Sequence, residues 1–495
     1  MQLNPEQELA LTDMTAYALK HCKRVDADDD GDDAPVMDSG QGFVPDMKAL
    51  KAYVESTKIV TVPPFVFTGL AGTGKTTVVG HLISRLVDDH GFNPDRIAVV
   101  AYTGKAASVL NKKLGPDSKV RASTIHRLLY TMPIDAMAMI GKEIDKLEAK
   151  MVRLAPGSAA LDAAKREREE LLNKMQASKR SGLKFVTREP SEVAAEKSLI
   201  IVDEASMVDD EIADDLSATG VPVIYVGDPN QLPPVNKDFG VSLRKPNAKL
   251  TTIMRQAGDS GVVVLAHDIL KARGMPRNVA GDLLGVSVDR NTNPLRFIPD
   301  AEHIPQFVCY YNNTRHHINR AVRKHVLKYE DYLPRIGESV MLDANIHERR
   351  LLRGDILTVE AIELEAHDDY GDNSLLNALG QASANPYRAT AILVDMWGTK
   401  HPLTLALNDL MLSMNHELAL NPYDKENSRR LSRIAFEAVP VMFPYAITAY
   451  KAQGSEWERV IVINEKMKGN NASSVYVPFL YTAVTRARDE VVVAG

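Results

Sequence analysis

The chain has 495 residues, of which 45% are hydrophobic, and its formal net charge is −6. Its length suggests about three or four domain-sized units, and the acidic charge excludes an overall basic field, so any polynucleotide must bind in a local groove. The two cysteines, Cys22 and Cys309, form no CxxC pair. No stretch approaches the ~18 consecutive apolar residues of a membrane span, and the first residues lack a signal-peptide pattern. We therefore expect a cytoplasmic protein without a disulfide framework, a zinc site or a membrane segment.

The first half of the chain alternates between predicted strands and helices. A helix is expected over about residues 5–23, and from residue 65 four apolar runs predict buried strands, namely "PFVFTGL", "RIAVVAYT", "KSLIIVDEAS" and "VPVIYVGD". Such alternation predicts a parallel sheet with helices on both faces. The charged stretch 141–180 interrupts it, and its apolar spacing predicts two helices in an antiparallel hairpin or, as the alternative, a solvated spacer.

A second alternating region begins near residue 250. Between about residues 337 and 433 the apolar period changes to two, which predicts short strands in a small β-barrel. The α/β pattern resumes at "AVPVMFPYAITAY", and the closing "EVVVAG" has the β-branched run of a buried strand. We therefore predict an α/β fold of two parallel-sheet domains, the first with a helical insert and the second with a β-rich insert. The predicted bounds are 1–130 with 191–245 for the first domain, 131–190 for the helical insert, 246–336 with 434–495 for the second domain, and 337–433 for the β-rich insert.

The strongest local motif is "GLAGTGKT", which begins at Gly69 and matches GxxxxGK[ST] between a predicted strand and a predicted helix. Its glycines allow backbone N–H groups to turn towards phosphates, and the helix N-terminus adds a favourable dipole. In such a loop Lys75 reaches the β- and γ-phosphates, and the Thr76 hydroxyl holds Mg²⁺. The motif therefore predicts a site for ATP or GTP together with Mg²⁺.

Two further motifs lie where predicted strands end. "LIIVDEAS" places Asp203 and Glu204 at the carboxyl end of a buried strand, which is the edge where α/β sheets bind ligands. Asp203 can hold the metal, and Glu204 can orient and deprotonate the attacking water. In "VGDPNQLPPV", Gln231 can hydrogen-bond a γ-phosphate or its water. The alternatives are a strand that merely ends in acids and a proline-rich surface turn.

Eight motifs taken together resemble a known family. Between residues 69 and 488 the chain carries, in order, "GLAGTGKTT", "AYTGKAA", "STIHRLL", "VDEAS", "GDPNQLPPV", "IMRQ", "AYKAQGSEW" and "YTAVTRAR". This order and spacing resemble those of superfamily 1 DNA helicases, in the RecD-like branch that contains the compact Dda-type phage enzymes. The resemblance implies two RecA-like domains that clamp one ATP between them, with an SH3-like module as the β-rich insert.

The resemblance also implies roles for single residues. Arg255 and Arg486 would reach the γ-phosphate from the second domain and so join Lys75, Glu204 and Gln231 in catalysis. The implied nucleotide-binding residues are Gln7, which would read adenine, and Gly69, Gly72, Thr73, Gly74, Lys75, Thr76, Thr77, Gln453, Gly454 and Glu456. The implied DNA contacts are Tyr102, Thr103, Lys105, Thr124, His126, Asn313, Thr448, Tyr450 and Lys451.

The same residues also have purely structural interpretations. Gln7 would otherwise be a residue on a helix surface, and each DNA contact would otherwise be a polar surface residue. Tyr102 and Tyr450 replace a proline and a histidine of the family and could add stacking faces for bases. Arg488 is a second candidate arginine in the last motif, with a structural salt bridge as the alternative role.

The resemblance implies an ATP-dependent helicase that moves 5′ to 3′ on single-stranded DNA as a monomer and unwinds duplex DNA in replication, recombination or repair. Forked or tailed duplexes and single-strand-binding or replisome proteins would be its partners. The insert at 131–190 follows "STIHRLL", where the family places its strand-separating element, and is the candidate for that role. The alternatives are a translocase that displaces proteins, an RNA-directed relative and an accessory DNA-binding recruitment subunit.

Overall fold

The structure is a computed structural model of the chain. The residues that it describes are 3–22, 62–131, 186–234, 239–254, 260–276, 283–289, 293–330, 333–344, 346, 351, 354–366, 384–395, 398–407, 438–467 and 472–495. The predicted helical hairpin at 141–180 and Arg255 lie outside these residues. Among the residues described, no helix combines the length and the apolar character that crossing a membrane requires.

The first helix, α1 (Pro5–His21), packs on the first domain and begins with a well-formed cap. The Asn4 side chain accepts from the Gln7 N–H at 2.9 Å, and the Gln7 side chain accepts from the Asn4 N–H at 3.0 Å. This reciprocal capping box satisfies two of the free N–H groups at the helix start, and proline suits the first helical position. The helix buries Leu11 and Met14 in the largest apolar core.

Six parallel strands form the sheet of the first domain, in the spatial order β3-β2-β6-β7-β1-β8. The β1, β2 and β7 strands are buried along their whole length, which agrees with their continuous apolar runs. Because β6, β7 and β1 are parallel neighbours, their carboxyl ends meet at one edge of the sheet. The strands are β1 (Phe65–Gly69), β2 (Ile97–Ala101), β3 (Ala122–Thr124), β6 (Leu199–Asp203), β7 (Val223–Gly227) and β8 (Ala248–Leu250).

Helices cover both faces of this sheet, as the alternation predicts. They are α2 (Lys75–Ser84), α3 (Gly104–Leu114), α4 (Ile125–Leu129), α5 (Pro190–Glu196) and α6 (Asp210–Ala218). A short antiparallel pair, β4 (Tyr130–Thr131) with β5 (Val186–Thr187), joins the two ends of the predicted insert.

Five parallel strands form the sheet of the second domain, in the order β16-β10-β17-β18-β9. The last strand lies between β17 and β9, and Val491, Val492 and Val493 are at most 1% exposed, which confirms the predicted buried strand. The strands are β9 (Val286–Asp289), β10 (Gln306–Cys309), β16 (Ala446–Thr448), β17 (Trp457–Ile463) and β18 (Ala487–Ala494). The helices are α7 (Gly261–Ala272), α8 (Asn312–Ala321), α9 (Ala449–Ala452) and α10 (Ala472–Val484).

A closed barrel interrupts the second domain, which confirms the predicted β-barrel insert. Its last strand, Val439–Met442, lies beyond the predicted end of the insert at residue 433, because it pairs with two barrel strands and not with the parallel sheet. Its interior holds alternate residues of its strands, such as Val340, Leu393 and Leu405, so the period of two follows from the two faces of each strand. The strands are β11 (Ser339–Leu342), β12 (Ile356–Ala366), β13 (Ala384–Val394), β14 (Lys400–Leu407) and β15 (Val439–Met442). Short 3₁₀ turns lie at Pro94–Arg96, Ala205–Met207 and Pro294–Phe297, and π-helical turns at Arg85–Asp89 and Val322–Val326.

Candidate nucleotide site and nucleic-acid groove

The phosphate loop joins β1 to α2. Gly72 and Gly74 have φ angles of 79° and 82°, in the left-handed region that glycine adopts without steric cost. A Cβ atom on Gly74 would lie 2.5 Å from the Nε2 atom of Gln7, so the end of the Gln7 side chain would have to shift. The Lys75 ammonium donates to the carbonyl oxygens of Gly69 at 2.6 Å and Leu70 at 3.1 Å. The Lys75 ammonium therefore lies against the backbone of its own loop.

The loop has the donors that the phosphates of a nucleotide need. Gly74 is the N-cap of α2 and has no side chain, so the positive end of the helix faces the loop with the Lys75 ammonium nearby. Thr76 and Thr77 occupy the first turn of the helix. The buried Thr73 hydroxyl donates to the Leu70 carbonyl at 2.8 Å and stabilises the loop from within.

The predicted acidic pair lies at the same edge of the sheet. Asp203 is the last residue of β6, and withdrawal from water together with the neighbouring Glu204 carboxylate raises its pKa above the ordinary value, although Lys75 opposes the rise. Glu204 has φ 53° and ψ 45°, a left-handed conformation that is strained for a residue with a Cβ atom. Concentrated negative charge beside a phosphate loop suits a divalent cation, which the Thr76 hydroxyl and the Asp203 carboxylate could hold.

Gln231 lies in a tight turn that follows β7. The first residue of the turn, Asp228, is fully buried, and its Oδ1 atom accepts from the Asn230 N–H at 3.0 Å and from the Asn230 side chain at 3.2 Å. The Gln231 N–H donates to the Asp228 carbonyl at 3.2 Å. The Gln231 side chain is 5% exposed, and its Oε1 atom accepts from the Ser206 hydroxyl at 3.4 Å. Asp228 thus shapes the turn that presents Gln231.

Arg486 lies in the turn between α10 and β18 and is only 5% exposed. Its Nε atom donates to the Thr482 carbonyl at 3.1 Å, and its Nη1 atom donates to the Ser455 carbonyl at 3.3 Å. The second domain therefore fixes the direction of the guanidinium. The predicted salt bridge of Arg488 is present, with Glu458 at 3.2 Å on an exposed surface.

Gln7 is fully buried against the phosphate loop, so it is not a residue on a helix surface. Its Nε2 atom donates to the Thr73 carbonyl at 3.0 Å and to the Met254 sulfur at 3.1 Å. The Met254 N–H in turn donates to the Gly72 carbonyl at 3.1 Å. Gln7 therefore connects α1, the phosphate loop and the segment that leads away from β8.

The carboxylate of Glu6 holds the same segment. It accepts from the Thr251 N–H at 2.8 Å, from the Thr251 hydroxyl at 2.6 Å and from the Thr252 N–H at 3.0 Å. These hydrogen bonds, of which the one from the Thr251 hydroxyl has the largest effect, lower the pKa of Glu6 from 4.5 to about 2. The start of α1 thus binds the chain just before the predicted catalytic Arg255.

The two domains touch through the segment that carries Gln453, Gly454 and Glu456. Gly454 has a φ of 72°, and a Cβ atom placed on it would lie 2.4 Å from the Cβ atom of Ala106 in α3 of the first domain. Glu456 forms an ion pair with Lys113 of the same helix at 2.7 Å. Glu456, predicted to contact the nucleotide, therefore has a partner across the domain boundary in this structure.

The DNA contacts predicted in the first domain lie together beyond the carboxyl ends of β2 and β3. The hydroxyls of Thr103 and Thr124 accept from N–H groups in the first turns of α3 and α4, so both threonines are helix N-caps. The Lys105 ammonium lies 4.5 Å from the centre of the Trp457 ring of the second domain, and burial lowers its pKa to about 8. The ring centres of Tyr102 and His126 are 5.6 Å apart in an edge-on contact.

The remaining predicted DNA contacts belong to the second domain. Asn313 lies in the first turn of α8, Thr448 ends β16 and is 6% exposed, and the ring of Tyr450 lies 6.1 Å from that of Tyr310. The Lys451 ammonium pairs with Asp343, next to the barrel strand β11, at 3.0 Å. The two sets of residues come from different domains, so one strand that contacted both would be sensitive to their relative position.

Residues missed by the sequence reasoning lie around Ala71 of the phosphate loop. The Tyr481 hydroxyl of α10 accepts from the Ala71 N–H at 2.8 Å and donates to Asp228 at 2.5 Å. The His267 imidazole of α7 lies beside the Ala71 carbonyl, and burial lowers its pKa although that carbonyl opposes the fall. In the sequence Tyr481 has the pattern of a core aromatic residue, and His267 lies in an apolar helix, so no local signal separates them from packing residues.

Comparison with known proteins agrees with these features. The AAA domain family matches residues 54–237, and the UvrD-like helicase C-terminal domain matches residues 443–494. The ATP-dependent RecD2 DNA helicase of Deinococcus radiodurans is 26% identical over 454 residues, which cover 87% of this chain and 46% of that protein. The ATP-dependent DNA helicase PIF1 of Emericella nidulans is 25% identical over 205 residues, which cover 39% of this chain and 20% of that protein. The chain spans less than half the length of these curated relatives.

Solved structures of Pif1 helicases also match. The Candida albicans enzyme is 17% identical, with a TM-score of 0.43 and coverage of 92% of this chain and 95% of that one. The Bacteroides Pif1 bound to single-stranded DNA is 16% identical, with a TM-score of 0.44 and coverage of 91% and 92%. Two helicase-related family models thus match parts of the chain, and its curated relatives include RecD2 and PIF1 helicases, which agrees with the resemblance to superfamily 1 helicases of the RecD-like branch.

Proposed function

We propose that the chain is an ATP-dependent DNA helicase that moves 5′ to 3′ along single-stranded DNA and acts as a cytoplasmic monomer on forked or tailed duplexes. The observation that supports this proposal is the contact of the second domain with the phosphate loop and with the Gln231 turn of the first domain. The phosphate loop and the acidic pair come from the first domain, whereas Arg486 comes from the second. A nucleotide between them would couple its own hydrolysis to the relative position of the domains.

Each residue of the site has a separate proposed role in ATP hydrolysis. Lys75 would bind the β- and γ-phosphates, while Thr76 and Asp203 would hold Mg²⁺, which when bound offsets phosphate charge. Glu204 would orient a water for attack and accept its proton. Gln231 would hydrogen-bond the γ-phosphate or that water, and Arg255 with Arg486 would stabilise negative charge in the transition state.

The nucleic-acid groove supplies the coupling to DNA. Contacts from Lys105 and Lys451 to phosphates would give salt-dependent affinity, and stacking on Tyr102 or Tyr450 would add ~1–3 kcal/mol per base. Because these side chains belong to both domains, a change in the spacing of the domains would move the strand relative to one of them. Single-strand-binding or replisome proteins are the partners that this activity implies.

The segment 131–190 is our candidate for the strand-separating element. In the sequence it begins just after the α4 helix, which carries the proposed DNA contact His126. Replacing residues 142–179 by a short Gly/Ser linker should preserve DNA-stimulated ATP hydrolysis and impair strand separation. Unimpaired unwinding by the shortened protein would make the segment a spacer.

The test of the proposed function is ATP hydrolysis with and without single strands. The wild-type protein should hydrolyse ATP slowly alone and much faster with DNA, Lys75→Ala should abolish turnover, and Glu204→Gln should abolish turnover while still binding ATP. Lys119→Ala removes an exposed lysine that pairs with Asp88 and serves as the matched control. Equal turnover with and without DNA, or stimulation by RNA alone, would refute the proposal.

A further inference from the structure

The turn that presents Gln231 is held by the second domain, although the turn belongs to the first. The Leu232 N–H donates to the Thr482 hydroxyl at 2.9 Å, and the Leu232 carbonyl accepts from the Gln453 side chain at 2.9 Å. Thr482 is fully buried and Gln453 is 2% exposed, so water does not compete for these hydrogen bonds. The position of Gln231 therefore depends on side chains across the domain boundary.

Tyr481 extends this contact to the phosphate loop. Its fully buried hydroxyl donates to the Oδ2 atom of Asp228 at 2.5 Å and accepts from the Ala71 N–H at 2.8 Å. Burial and the Asp228 charge raise the pKa of Tyr481 well above its ordinary value of 10, so the hydroxyl keeps its proton and its donor role towards the carboxylate. One oxygen atom thus joins the loop to the first residue of the Gln231 turn.

Asp228 transmits this contact to Gln231. Its Oδ1 atom is used by Asn230 within the turn, and its carbonyl accepts from the Gln231 N–H at 3.2 Å. Only the Oδ2 atom is directed to Tyr481. A shift of the tyrosine hydroxyl would therefore move the carboxylate and the turn with it. Arg486 follows on the same segment, five positions after Tyr481.

We propose that Tyr481 is a positioning residue of the hydrolytic site, whose hydroxyl holds the phosphate loop and the Gln231 turn in register with Arg486. The role rests on the proposed ATP hydrolysis. The Tyr481 hydroxyl is occupied by Ala71 and Asp228, so it has no direct role towards nucleotide or water. It sets the distance between groups that have such a role, so it should affect the rate of the chemical step more than the binding of ATP.

Tyr481→Phe tests the role because it keeps the ring and removes one hydroxyl. The change leaves the Asp228 carboxylate and the Ala71 N–H with one partner fewer in a buried place. We expect kcat for DNA-stimulated hydrolysis to fall about 10- to 100-fold while the KM for ATP stays within about threefold. Tyr476→Phe is the matched control, since it lies on the same helix and its hydroxyl donates to Asn464 at 2.8 Å.

A double-mutant cycle separates positioning from simple packing. Asp228→Asn keeps the side-chain volume but replaces one of the two acceptor oxygens by an NH₂ donor, so the contact with either Asn230 or Tyr481 is lost. We expect kcat to fall in this variant too, and the two changes combined should cost less than the product of their separate effects. If Tyr481→Phe fails to fold, Asp228→Asn decides, and a wild-type kcat for it would overturn the role. Thermal unfolding midpoints of both tyrosine variants show whether a loss of stability explains any loss of rate.

The outcomes distinguish this inference from the proposed function. Wild-type kcat in Tyr481→Phe, or equal losses in Tyr481→Phe and Tyr476→Phe, would overturn the role of Tyr481 and leave the ATPase intact. No hydrolysis by the wild-type protein would overturn the proposed function and this role together.

Discussion

Replacing Gly454 by alanine should slow ATP hydrolysis by holding the two domains apart. The added Cβ atom would lie 2.4 Å from the Cβ atom and 3.1 Å from the Cα atom of Ala106. Ordinary contacts of this kind begin at 3.4 Å, so the surfaces must separate by about 1 Å. The atoms that it meets belong to the short, rigid start of α3, and no flexible side chain can move aside.

The Gly454→Ala substitution should lower both the stability of the protein and the rate of hydrolysis. Gly454 has a φ of 72°, and alanine in this left-handed conformation costs roughly 1–2 kcal/mol. A displacement of about 1 Å between reacting groups costs ~10²-fold in rate, equivalent to about 2.7 kcal/mol of transition-state stabilisation. We therefore expect a modest loss of stability and a fall in kcat of about two orders of magnitude.

The control for backbone strain is Gly115→Ala. Gly115 has a φ of 86° at the end of α3, and a Cβ atom there would meet no atom of the described residues within 4 Å. DNA-stimulated hydrolysis should be near wild type in Gly115→Ala and strongly reduced in Gly454→Ala. Ala106→Gly in the Gly454→Ala background removes the closest contact and should restore part of the rate. Equal rates in the two single variants would refute the reasoning.

The remaining predictions concern three charged side chains. Arg486→Ala should lower kcat by ~10³-fold or more and leave binding of single strands without nucleotide unchanged in an anisotropy titration; wild-type hydrolysis would contradict its role at the γ-phosphate. Asp343→Asn should release Lys451 and tighten binding of single strands by about two- to fivefold at low salt, whereas unchanged affinity would argue against Lys451 as a DNA contact. The pKa of Glu6 is lowered to about 2, so its stabilising effect is present above about pH 4.5 and is lost as the pH falls towards about 2. Glu6→Gln should therefore lower the free energy of unfolding at pH 7 more than at pH 3 in denaturant titrations, and an equal loss at both would contradict this.

The parts of the fold and of the site that require particular residues at fixed positions along the chain could be predicted from the sequence. The phosphate loop is one, because both Gly72 and Gly74 must adopt left-handed backbone conformations just before α2. The barrel is another, because its residues alternate between the interior and the surface, so apolar residues recur at every second position of the sequence. The continuous apolar run of β18 likewise reports burial on both faces.

The partners of the predicted residues could not be predicted, because they lie far along the chain. Tyr481 and Asp228 are 253 positions apart, and nothing near either residue indicates the other. The close approach of Gly454 to Ala106 likewise depends on how the domains pack. The capping roles of Thr103 and Thr124 could have been predicted from the sequence, since threonine is a common N-cap just before a helix.

The decisive experiment for the proposed helicase activity is strand displacement on tailed duplexes. The wild-type protein should separate a DNA duplex with a 5′ single-stranded tail when ATP and Mg²⁺ are present, and Lys75→Ala should not. A duplex with only a 3′ tail should remain paired. Displacement from the 3′ tail alone, displacement of RNA duplexes alone, or no displacement despite DNA-stimulated ATP hydrolysis would show that the chain is not a 5′-to-3′ DNA helicase.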